Sequence, residues 1–160
     1  MSTEKDDKTS ILLKHAESQH EMNYKMFSSI DAKYAWLLAF LLTSLTFIIP
    51  NFLLKDHSDL LIFSVITGLV ALGLAVFGFL PRTFQIGSGS SQVTIKFWPD
   101  DKTVQSLKED LLSNYNAGND KNSRVIEGKV FMFKAAVAVA VVYVTSFVIF
   151  LTLNYDLLSR

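Results

Sequence analysis

The residues of this chain suited to binding a charged small molecule are few, and they sit at the margins of its apolar stretches. Asp31 and Lys33 precede the first stretch, Arg82 follows the second, and Asn122, Arg124, Lys129 and Lys134 precede the third. Guanidinium and ammonium groups hold phosphate, and a ring such as Trp98, Phe97 or Tyr115 can stack on a base. Arg82, Trp98, Arg124 and Lys129 are therefore candidate contacts for a small anion carrying an aromatic base. The same cations also serve as topogenic charge and as contacts for lipid headgroups.

Signals for bond chemistry are poor. His15 and His20 are five residues apart, which places them about 140° apart on a helix. His20-Glu21 lacks the second histidine of a zinc-protease motif. Gly87-Ser88-Gly89 lacks the third glycine and following helix of a dinucleotide fingerprint, and the lysine of a phosphate loop. No catalytic residue, metal site or cofactor is expected. The chain has no cysteine, which excludes disulfides, thiol catalysis, thiolate-bound zinc, iron-sulfur clusters and cysteine lipidation.

Three charge-free apolar runs surround these residues: Ala35 to Leu54, Leu60 to Pro81 and Ala135 to Tyr155. Each is long enough at 1.5 Å per residue to cross a hydrocarbon core of about 30 Å, and a water-soluble chain of 160 residues has no core able to bury all three. The expected fold class is an all-α integral membrane protein with transmembrane helices at 35–54, 60–81 and 135–155. No ionisable residue sits inside any span, which argues against a proton relay or charged ion pathway within one protomer.

Lysine and arginine are segregated. Lys5, Lys8, Lys14, Lys25 and Lys33 precede the first span, and Arg82, Lys96, Lys102, Lys108, Lys121, Arg124, Lys129 and Lys134 lie between the second and third, whereas the remaining compartments hold Lys55 and Arg160. This bias puts the N-terminal helix 1–34 and the insert 82–134 in the cytoplasm and the C-terminus outside. The first run is too long and too far from the N-terminus for a signal peptide. Fifteen basic residues against fifteen acidic ones give no bulk attraction for a nucleic acid polymer.

Asp6, Asp7, Thr9 or Ser10 is an expected N-cap for a helix starting near Ile11. Met22, Met26, Ile30 and Tyr34 recur every four residues, a stripe expected to pack on other cytoplasmic helices. Pro50 should kink or end the first span. Gly68, Ala71, Gly73, Ala75 and Gly78 offer small side chains for close helix approach. Phe84, Ile86, Val93, Ile95 and Phe97 alternate with polar residues around Gly87 to Ser91, the pattern of a short β-hairpin. Val104, Leu107, Leu111 and Tyr115 mark an amphipathic helix stopped by Gly118, with Asn119 or Asp120 capping a last helix that enters the third span.

The order of these features resembles the Pycsar effector family, the small transmembrane effectors of bacterial antiphage defence. The resemblance covers about residues 15–153 and is carried by Asp31 and Lys33 before span one, Leu80-Pro81-Arg82 after span two, Phe97-Trp98, and Asn122 and Lys129 before span three. It implies a multi-pass protein of the bacterial inner membrane whose ligand is a cyclic nucleotide, cyclic CMP or cyclic UMP, made by a partner cyclase. The response it implies is abortive infection through loss of membrane integrity, without catalysis. Three uncharged spans cannot line a hydrated pore alone, so a homo-oligomer is expected. A different class, a constitutive scaffold binding a protein partner through its cytoplasmic helices, fits the amphipathic stripes as well, and toxicity that appears only with a cyclase separates the two.

Overall fold

A computed structural model describes residues 2–53, 58–82 and 103–154, the side chains of 2–7 excepted. Every regular element among the described residues is helical, with α1 at Ser2–Ile48, a π-helical turn at Ile49–Leu53, α2 at Asp59–Phe79 and α3 at Val104–Leu153. All three α-helices are long and apolar enough to cross a membrane, and the chain is a multi-pass membrane protein. The expected hairpin at 84–97 lies outside the described residues.

Local chemistry sets the helix ends. Pro50 has no N–H to donate and its ring crowds the preceding turn, so the helix widens into a π turn there. The Asn51 amide donates to the Phe47 carbonyl at 2.8 Å. α2 opens with Asp59 in its first turn, where a carboxylate complements the helix dipole. It ends at Leu80 (φ −48°, ψ 136°), held extended by Pro81.

Two expected boundaries are corrected. α1 starts at Ser2 rather than near Ile11, and Thr9, instead of capping, accepts a hydrogen bond from Gln105 Nε2 at 3.1 Å. Gly118 does not stop a helix, and neither Asn119 nor Asp120 caps one, because α3 runs unbroken through all three. An interior glycine costs only about 1 kcal/mol. Asn119, one residue on, is drawn inward by its bond to Ala16.

The chain divides into two compact units, Met1–Ser28 with Arg82–Glu127, and Ser29–Pro81 with Gly128–Arg160. In the first, α1 and α3 meet along a polar seam. Asn119 Nδ2 donates to the Ala16 carbonyl at 3.0 Å, Asn23 Nδ2 reaches Asn119 Oδ1 at 3.5 Å, and Lys108 Nζ donates to Ser10 Oγ at 3.0 Å. Met22 and Met26, expected to pack inward, are exposed. A four-residue step drifts around the helix, whereas the buried line Thr9, Ala16 and Asn23 keeps the seven-residue interval of a helix pair.

In the second unit all three helices pack together. Leu41, Leu45 and Ile48 of α1, Leu61, Val65, Ala71 and Ala75 of α2, and Ala136, Ala140, Tyr143 and Phe150 of α3 are buried. Ser64, Gly68, Ala71, Ala75 and Gly78 form the buried line of α2, alternating steps of four and three that bring small residues to one seam. A Cβ at Gly68 would stand 2.9 Å from Leu45 Cδ2 and 3.0 Å from the Tyr143 ring, whereas Gly73 faces open space. Ser64 Oγ donates to the Tyr143 carbonyl at 3.1 Å, tying α2 to α3.

Candidate functional site

The second unit places a charged pair where the helices leave their polar halves. Lys129, on the buried face of α3, points its ammonium at Asp31 Oδ1 of α1, 2.5 Å away. The lysine side chain is 0% exposed and that of Asp31 32% exposed. Enclosing an ammonium costs several kcal/mol after relaxation, and only a close counter-charge offsets it. Asp31 supplies that charge while keeping one side toward solvent.

The pair is braced one turn further along. Tyr34 follows Asp31 by three residues, which brings it to the same face of α1, and its hydroxyl donates to the Lys129 carbonyl at 2.7 Å. The Tyr34 ring meets Phe133 edge-on at 5.2 Å. Gly78 is what lets α2 approach, since a Cβ there would overlap the Tyr34 hydroxyl and ring. Asp31, Tyr34, Gly78 and Lys129 thus join all three helices through one charged pair, one hydrogen bond and one missing methyl.

The other expected site residues fall in different surroundings. Asn122 is fully buried on the seam of the first unit, Arg124 and Lys33 are exposed, and Arg82 is half-buried. Trp98 lies outside the described residues. His20 meets Tyr115 edge-on at 5.8 Å. Together with Glu17, Glu21 and Tyr24 the two line an open groove of about 310 Å³. The Lys25 ammonium, 2.7 Å from Glu21, holds that carboxyl below its usual range.

Among the residues missed as site components, Gly78 and Tyr34 had a readable signal. Gly78 ends a 4-3-4-3 series of small residues, and Tyr34 follows Asp31 at a helical interval. The described residues contain no group of three histidines, cysteines or carboxylates arranged to hold a metal ion.

No curated protein and no solved structure matches the chain. The model of the Pycsar effector protein domain matches residues 15–155, a stretch that contains Asp31, Tyr34, Gly78 and Lys129. The chain belongs to the Pycsar effector protein family, membrane effectors of antiphage defence.

Proposed function

We propose that this protein impairs the bacterial inner membrane in response to cyclic CMP or cyclic UMP made by a partner cyclase, with its N-terminus and the 82–134 segment cytoplasmic and its C-terminus periplasmic. The protein acts as an effector without bond chemistry, and more than one chain is needed, because three uncharged spans cannot surround water alone. The residues proposed to meet the ligand are Arg82, Trp98, Arg124 and Lys129. The observation that carries the reading is the pairing of Asp31 with Lys129: two residues that carry the family resemblance meet at the polar margin of the spans, the lysine enclosed and the aspartate partly open to solvent.

In this reading Asp31 is the resting counter-ion of Lys129, and the ligand phosphate is its competitor. Separating a buried pair costs about 3–5 kcal/mol. A ligand must prefer the separated arrangement by a similar amount, roughly 10²–10³-fold or more in affinity, to populate it. A cyclic nucleotide offers the lysine a phosphate charge in place of the Asp31 carboxylate, and its base is a stacking surface for a ring such as Trp98.

The test is co-expression with and without an active nucleotide cyclase. Growth arrest and loss of membrane potential only when the cyclase is active support the proposal. Arrest that is independent of nucleotide, or a stable complex with another protein and no arrest, favours the scaffold reading.

A further inference from the structure

In the unit formed by Met1–Ser28 and Arg82–Glu127, apolar and polar side chains are on the wrong faces for two helices standing alone in water. Among its described residues, the buried apolar side chains are Ala16 and Ile126, whereas Thr9, Asn23, Asn119 and Asn122 are buried polar ones. Ile11, Leu12, Met22 and Met26 are 60%, 53%, 55% and 46% exposed. At 3.6 residues per turn these four fall in one arc of about 100°, together with His15 and Gln19. The charged residues of this stretch, Lys14, Glu17, Glu21 and Lys25, all lie outside it. A largely apolar arc of that width, without lysine, arginine or carboxylate, is what a helix ordinarily turns toward its core. Here α3 packs on the neighbouring face, and the described residues leave the arc uncovered.

We propose that a second copy of this chain covers the arc, its own α1 lying parallel and presenting the same residues. Leu12, His15, Gln19, Met22 and Met26 are spaced three, four, three and four apart, the repeat of a parallel two-helix seam. A two-fold axis along the membrane normal sets like against like, and from Leu12 to Met26 the seam sets no lysine, arginine or carboxylate against its own copy. The spans hold both copies in one orientation and at one depth. The four apolar side chains expose at most a few hundred Å², well under the roughly 800 Å² per partner of stable complexes in solution. The pairing therefore depends on the high effective concentration of chains confined to a membrane, an advantage that a second copy has and a soluble partner lacks. This assignment rests on the proposed function's need for more than one chain and names the surface that joins them.

Because the chain has no cysteine, single-cysteine variants report one position each. Gln19→Cys and Met22→Cys, treated in native membranes with a short bismaleimide, should give a product of twice the chain's mass, and Glu17→Cys, on the opposite side of α1, should give none. Adding Met22→Glu and Met26→Glu to Gln19→Cys should abolish that product while the amount of protein in the membrane stays the same. Equal yields at all three positions, no dimer, a product of any other mass, or a dimer that survives both glutamates would overturn the seam. The readout uses neither nucleotide nor membrane damage. Nucleotide-dependent damage without the crosslink would overturn this interface and leave the proposed function standing.

Discussion

Removing one partner at a time from the Asp31–Lys129 pair should give unequal costs, because the two groups are unequally enclosed. Asp31→Ala leaves an ammonium that is 0% exposed without its counter-charge, a loss of about 3–5 kcal/mol. Lys129→Met leaves Asp31, whose side chain is 32% exposed and can turn to water. Methionine fills the lysine's volume, so this change costs only the charged hydrogen bond, about 1.5–3 kcal/mol. The double variant Asp31→Ala/Lys129→Met encloses no charge and should be less destabilised than Asp31→Ala alone, with a coupling energy of at least 1–2 kcal/mol. Reversible unfolding in mixed detergent, followed by helical circular dichroism and run as a double-mutant cycle, reads all three. Equal single costs, or a double variant as costly as the two singles combined, would refute the claim that the pair is a buried, mutually dependent unit.

Gly78→Ala should destabilise by about 1–3 kcal/mol, since the added methyl displaces Tyr34 from the Lys129 carbonyl; Gly73→Ala, facing open space, should change stability by less than about 0.5 kcal/mol in the same unfolding assay. Gly118→Ala should stabilise by up to about 1 kcal/mol, because a Cβ there meets nothing within 4 Å and alanine is the better helix former. Glu21 owes its lowered pKa first to the Lys25 hydrogen bond and then to the Lys25 charge. Its small contribution to stability is present above the ordinary carboxylate pKa and fades as pH falls through the lowered folded value. Lys25→Ala should return the Glu21 titration, followed by NMR of a labelled side chain, to the ordinary carboxylate range.

The three membrane-spanning helices were legible because twenty-odd uncharged residues have few alternatives to a membrane. The seam of the first unit was not, because its buried positions carry Thr9, Asn23, Asn119 and Asn122, which no hydrophobic pattern marks. The methionines of α1 drew attention to a face that α3 does not use. Asp31 and Lys129 stood out as residues, yet their pairing across 98 positions of sequence follows from the register of two helices. That register is set by contacts too small to register as pattern, such as the Ser64 bond to the Tyr143 carbonyl and the absence of a methyl at Gly78. Gly118 misled for the opposite reason: glycine is a common helix stop, but flanking side chains that bond across the seam outweigh its modest cost.

The most direct test of the account is the purified protein in sealed liposomes carrying a membrane potential, with cyclic CMP or cyclic UMP added on the face bearing the N-terminus. The potential should collapse on adding one of these nucleotides to the wild-type chain, and without any nucleotide for Asp31→Asn, which removes the Asp31 charge from beside Lys129. A potential that holds under both nucleotides with the wild-type chain, and holds equally with Asp31→Asn, would contradict it.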